Sequence, residues 1–269
     1  MAWFRTHNAK IFIILLSLQL SGAADACEKL QVNGANNWFP YFYRGEHSPG
    51  LMGNNGIIGD IVFQASRRIS IKAELNLQAP WKRILYDLRY GKLDIVAGAL
   101  KTKEREKIFS FSSPIFHSEF RIFVHTENQF LFTDLEDLIG KNGIKIRGMS
   151  LGQNIDDYAF ENLVIHDATN TSSLFKMVAA KRVEYGIFYL HSGVSELKKL
   201  KLDQTLVALP KPLTREALYV AFSKESKCQP QIQQFSQEID LMKADGSILK
   251  ITNHYATAVN NDRVIKKHE

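Results

Sequence analysis

Between Trp81 and Ser113 the rhythm of apolar and polar positions changes twice. Trp81, Leu85 and Leu88 recur at helical spacing, Tyr90-Gly91-Lys92 interrupts them, and Leu93 to Ala99 follows as a short apolar run bounded by Gly98. The pattern predicts helix, turn, buried strand, and then a loop from Lys101 to Lys107 that carries four basic side chains. In open α/β sheets ligands sit past the carboxyl ends of strands, so this loop is a candidate anion site.

The same alternation organises the rest of the chain. Leu30 to Gly34 reads as a strand, and the aromatic run Trp38-Phe39-Pro40-Tyr41-Phe42-Tyr43 as a loop whose rings form either a stacking wall or packing beneath it. Glycines at 45, 50, 53, 56 and 59 suggest a flexible connection to an amphipathic helix bearing Ile61, Val62, Ala65 and Ile69, with Asp60 as its N-cap. Ile71 to Leu77 alternates as a strand does. A second cycle follows Phe120 to His125: strand 144–146, helix 152–162, strand 164–165, a helix faced by Leu174, Phe175, Met177 and Val178, and strands at 183–190 and 218–222. A last helix from Pro230 to Ala244 stops at Asp245-Gly246. This order predicts two α/β lobes, each with a mostly parallel sheet flanked by helices.

Composition changes that picture at the amino terminus. Arg5 and Lys10 precede the apolar run Ile11 to Leu18, and Ala24-Asp25-Ala26 completes the form of a cleaved secretory leader over residues 1–26, with Ala23 as an alternative cleavage point. The run is shorter than the ~20 residues a spanning helix needs. Export to the periplasm is therefore expected. The chain has two cysteines, Cys27 and Cys228. In an oxidising compartment they most simply pair, two free buried thiols being the alternative. Ala24, three places before Cys27, is not the large aliphatic residue a lipid-attachment signal carries. The formal charge of +6 is scattered in small clusters such as Lys198-Lys199-Lys201, with no basic stripe interleaved with aromatics, so a nucleic-acid partner is not expected. Neither cysteine has zinc-site spacing, and no metal or cofactor is expected.

Taken together, Trp81 to Ser112, Leu135 to Gly140, Gly148-Met149-Ser150, Lys181-Arg182-Val183-Glu184 and the ending Leu241 to Gly246 with Tyr255 resemble the extracytoplasmic solute-binding proteins of family 3, the polar amino-acid binders of ABC importers. The resemblance implies a two-lobed periplasmic-binding-protein-like fold of type II, joined by two hinge strands and closing on its ligand. It puts lobe 1 at residues 27–120 plus 217–269 and lobe 2 at 121–216, so that Cys27 and Cys228 share a lobe. It also implies a monomer that captures a small solute and delivers it to a membrane permease.

Position by position, Arg105 matches the arginine that grips a ligand carboxylate, a task suited to its planar two-pronged fork. Trp38 and Trp81 match the aromatic walls, Gly98 a backbone carbonyl facing the cleft, and Arg147 and Ser150 polar contacts from lobe 2. Two positions depart from the family. Leu100 stands where a threonine hydroxyl is usual, and Tyr189 where an aspartate would pair with the ligand's α-ammonium. The expected guest is thus a carboxylate or other anion, amino-acid-like or a simple organic acid, without that ammonium contact. Two other classes remain as alternatives: a stand-alone sensory module, and an enzyme on the same fold, such as a cyclohexadienyl-dehydratase-like protein. His117, Glu119, His166 and His191 are the candidates for acid–base work, each isolated in sequence.

Overall fold

Alternating burial along the first strand shows how the sheet is built: Leu30 and Val32 are fully buried while Lys29 is exposed. The computed structural model describes residues 27–35, 38–43, 56–75 and 79–255. The expected leader, the glycines at 45, 50 and 53 and residues 256–269 lie outside them.

The first half runs β1 (Lys29–Gly34), α1 (Gly56–Arg68), β2 (Lys72–Leu75), α2 (Trp81–Arg89), β3 (Ile95–Ala99), α3 (Lys103–Ile108), β4 (Phe109–Phe111) and β5 (Phe116–His125). The second half runs β6 (Asn142–Ile146), α4 (Gln153–Asn162), β7 (Val164–Ala168), α5 (Thr171–Ala179), β8 (Tyr185–Tyr189), α6 (Leu190–Lys199), β9 (Leu206–Ala208), β10 (Thr214–Ser223) and α7 (Ile232–Ala244). Residues 247–255 are helical again after the turn at Gly246.

The strands follow the order β2-β1-β3-β10-β5-β8-β6-β7, with β4 on β10 and β9 on β5. Each end of this path is a parallel triplet: β2, β1 and β3 in lobe 1, and β7, β6 and β8 in lobe 2. The two ten-residue strands β5 and β10 join them. β10 pairs through Thr214–Leu218 with β5 and then through Tyr219–Phe222 with β3, while β5 passes from β10 to β8 at Phe120. Both strands change partner midway, which makes them the two connections between the lobes.

Apolar packing covers both faces. In lobe 1, Ile58, Ile61 and Val62 of α1 bury against one side of the sheet, and Ile84 and Leu88 of α2 join Val96, Phe109 and Ala221 on the other. In lobe 2, Phe123 of β5 meets Phe175 of α5 edge to face at 5.1 Å, and Gly193 of α6 lets that helix settle on the same ring, since a Cβ there would lie 2.3 Å from Phe123 Cζ.

Four details differ from the sequence reading. Asp60 is not an N-cap: α1 begins four residues earlier, and Asp60 is buried within it, accepting a hydrogen bond from the Tyr255 hydroxyl. The basic loop 101–107 is largely the short helix α3, started by Thr102, whose hydroxyl accepts from the Arg105 N–H at 3.3 Å. β5 starts at Phe116 rather than Phe120, and α6 and β9 were not anticipated.

Cys27 and Cys228 form a disulfide that ties the start of β1 to the segment before α7. Closing a 201-residue span removes unfolded-chain entropy worth about 5 kcal/mol in the loop model. Reduction, or Cys27→Ser with Cys228→Ser, is expected to lower stability by about 2–5 kcal/mol in urea unfolding; an unchanged midpoint would contradict this.

Between the connecting strands, Glu119 of β5 accepts from Arg121 and, at 2.9 Å, from Arg215 on the facing strand β10. Burial alone would raise the Glu119 carboxyl, but the two guanidinium hydrogen bonds hold it below the ordinary carboxylate range. Its contribution is therefore present above the unfolded-state value and lost as pH falls through the lower folded one. Glu119→Gln is expected to flatten the acid limb of the stability-against-pH curve, and an acid limb identical to wild type would refute that role.

Candidate ligand-binding site

The chain doubles back tightly at Trp38, whose N–H and C=O bond Phe42, so that Trp38 is only 3% exposed despite sitting in a loop. Its ring lies against Gly98 at the end of β3: a Cβ there would stand 2.5 Å from Trp38 Cζ3, and Gly98 has φ of +82°. The bare Cα is thus required first by the indole, and only glycine meets both conditions. Tyr189, the last residue of β8, packs at a tilt against the same indole, 4.6 Å from Trp38 and 4.2 Å from Phe120 between ring centroids.

These three residues and Trp81, the first residue of α2, line a cavity of about 690 Å3. Ala35, Ala79 and Pro80 complete its lobe 1 wall; Ile146, Met149, Phe188 and the amino-terminal end of α5, with Asn170, Thr171 and Ser172, form the lobe 2 wall. Glu196 and Lys199 of α6 also line it. The size suits a small organic solute rather than a macromolecule. The Trp38 indole N–H is buried and has no hydrogen-bond partner.

Arg105 stands beside Tyr189 rather than in the wall itself. It is 9% exposed and spans the lobes: Nη1 donates to Leu100 O at 2.8 Å in lobe 1, and Nη2 donates to Gly148 O at 3.1 Å in lobe 2. The Gly148 carbonyl is presented by a turn closed by Met149 N–H on Ile146 O, whose third residue, Gly148, has φ of +78°. Trp81 Nε1 donates to the same oxygen at 3.2 Å, and Lys103 N–H bonds Gln153 Oε1 at 3.0 Å. Three donors of lobe 1 therefore hold the 148–153 segment of lobe 2, bonding the lobes to each other beside the cavity.

Desolvation pulls the Arg105 guanidinium below its ordinary pKa, against the favourable fields of the Tyr189 and Asp156 oxygens. It makes no ion pair among the described residues. Burial likewise pushes the Tyr189 hydroxyl far above the usual tyrosine range, so it is a neutral phenol at physiological pH and supplies no counter-charge to an ammonium.

Besides Arg105, two more of the sequence candidates stand outside the cavity wall. The Ser150 hydroxyl is engaged by the Asp156 carboxylate, which also accepts from Leu151 N–H at 2.9 Å, and Ser150 does not line the cavity. Arg147 is half exposed, near Asp167, and lines a neighbouring groove with Lys82, Arg83 and Tyr86. Leu100 presents its backbone carbonyl, not its side chain, to Arg105. His117, His166 and His191 are exposed and Glu119 is held by two arginines; none lines the cavity. Conversely, Met149, Asn170, Thr171, Ser172, Glu196 and Lys199 were not anticipated as wall residues. Among the described residues no cluster of three or more His, Cys, Asp or Glu is placed to hold a metal, and no helix is long and apolar enough to cross a membrane.

No curated protein sequence matches the chain. Solved structures do: a mutant of ArgBP from T. maritima (19% identity, 86% of this chain and 96% of that one, TM-score 0.70), an ancestral arginine-binding protein bound to arginine (22%, 85% and 98%, 0.70), and a histidine kinase sensor domain with similarity to periplasmic binding proteins (17%, 84% and 95%, 0.70). At these identities the likeness shows the fold, two lobes about a cleft. The family model of the bacterial extracellular solute-binding proteins, family 3, matches residues 30–258, nearly the whole described chain, and the protein belongs to that family.

Proposed function

We propose that the chain binds a small carboxylate-bearing solute in its inter-lobe cleft, outside the cytoplasm, and delivers it to the permease of an ABC importer. The lobes would be residues 27–120 with 217–269, and 121–216, hinged on β5 and β10. The observation that carries the reading is Arg105, a nine-tenths buried guanidinium with no ion pair among the described residues. A charge taken out of water is costly unless an opposite charge meets it, and two of its N–H groups already serve carbonyls, leaving others for a guest. The unpartnered Trp38 N–H is a further donor for an anionic oxygen. Trp38 and Trp81 provide flat apolar walls for the guest's body.

The neutral Tyr189 phenol supports a guest whose carboxylate end lacks an adjacent ammonium. Binding rather than a dehydratase-like reaction is supported by the family and by the three histidines and Glu119 standing outside the cavity, whose lining holds one carboxylate, Glu196. The sensory alternative has one specific point in its favour, the likeness to a kinase sensor domain, and it would use the same cleft for the same chemistry.

The test is ligand-induced thermal stabilisation and calorimetry with a panel of carboxylates and their amides. At a hundredfold excess over Kd a true ligand adds about 2.7 kcal/mol. Arg105→Met removes a buried unpaired charge but also the donors to Leu100 O and Gly148 O, so it is expected to cost the guest-free protein about 1–3 kcal/mol of stability. The same substitution should cost about 2–5 kcal/mol of carboxylate binding. Carboxylates and amides binding alike, or an Arg105→Met variant that binds as wild type does, would overturn the reading.

A further inference from the structure

The cavity wall contains two charged side chains, Glu196 and Lys199, and both belong to α6. They differ in setting. The Glu196 side chain is 16% exposed, held within the wall, whereas that of Lys199 is 68% exposed, and their nitrogen–oxygen separation of 4.0 Å is the outer limit of an ion pair. A pair this long, with its lysine in solvent, contributes little, so Glu196 is a loosely paired carboxylate facing the cavity, and Lys199 is the other charge in the wall.

Its position along the helix sets a distance. Tyr189, beside Arg105, caps α6, and Glu196 lies seven residues further on. Seven residues bring the helix back to nearly the same face, and at ~1.5 Å per residue they place the Glu196 backbone about 10 Å beyond Tyr189. Resting on the proposal that Arg105 receives the solute's carboxylate, we infer that Glu196 receives a cationic group at the far end of an elongated solute, on the order of 10 Å from that carboxylate. The solute class is thus a long zwitterion with separated charges: an ω-amino or ω-guanidino carboxylate, or a short peptide-like molecule, with an apolar middle lying along Trp38 and Trp81. The volume of about 690 Å3 leaves room for such length. The same geometry accounts for Tyr189: a guest whose cation is remote from its carboxylate needs no counter-charge beside Arg105.

Calorimetric titration of the full mature chain with octanoate, ω-aminooctanoate, γ-aminobutyrate and octanedioate tests this. The extended ω-aminooctanoate spans the required distance, γ-aminobutyrate does not, and octanoate and octanedioate replace the amine with nothing or with a second anion. The inference expects ω-aminooctanoate to bind at least about tenfold more tightly than octanoate, octanedioate and γ-aminobutyrate. It expects Glu196→Gln, a near-isosteric change, to bring the ratio between ω-aminooctanoate and octanoate close to one. Equal binding of those two by the wild type, a preference for octanedioate, or a ratio untouched by Glu196→Gln would overturn the role of Glu196 while leaving the carboxylate reading in place. Failure of every carboxylate to bind, or binding of octanoate unaltered by Arg105→Met, would overturn that reading and this inference with it.

Discussion

A guanidinium kept out of water at the junction of two lobes is the constraint on which the remainder of this structure turns. Arg105 bonds Leu100 O on its own lobe and Gly148 O on the other, so the charge is satisfied as a hydrogen-bond donor but not as an ion. Carbonyl dipoles soften the cost of desolvating it without cancelling it, and the residual imbalance favours whatever anion can reach it. The contact between the lobes and the guanidinium donors left over for a guest thus meet at one side chain. The Gly148 carbonyl accepts from one of the donors that a carboxylate would take.

The fold serves that junction. β5 and β10 carry the chain between lobes as one antiparallel pair, so the lobes are joined by backbone ladder rather than by loose linkers, and Glu119 with Arg121 and Arg215 fastens the pair from one side. Trp38, Tyr189 and Phe120 stack across the same region. Rigid lobes hinged at two strands can rotate while their cores stay packed, which is the motion a cleft binder requires. On the far side, the disulfide keeps the first strand and the approach to α7 together.

Much of this was legible in the order of residues, and the exceptions have physical reasons. The repeated strand–helix rhythm stood out because buried parallel strands are continuous apolar runs, as Ile95 to Ala99 shows. Helix α6 was missed although Leu190, Val194 and Leu197 have helical spacing, because Gly193 and Ser192 interrupt the pattern; the glycine is there to admit Phe123. Asp60 looked like a cap because its true partner, Tyr255, lies 195 residues away. At the site, the fold brings Trp38, Trp81, Gly98 and Tyr189 into one cavity wall and leaves Arg105 outside the lining, and nothing in the sequence could show that, nor that Asp156 occupies Ser150, that Arg147 turns toward a separate groove, or that Glu196 reaches the wall. Those facts depend on tertiary neighbours.

The most direct test of the central claim is a crystal structure of the chain with a bound carboxylate. The account requires the carboxylate oxygens within hydrogen-bonding distance of the Arg105 guanidinium, between the planes of Trp38 and Trp81, with the bond to Gly148 O released or shared. A carboxylate lodged elsewhere, with Arg105 still held only by Leu100 and Gly148, would contradict it.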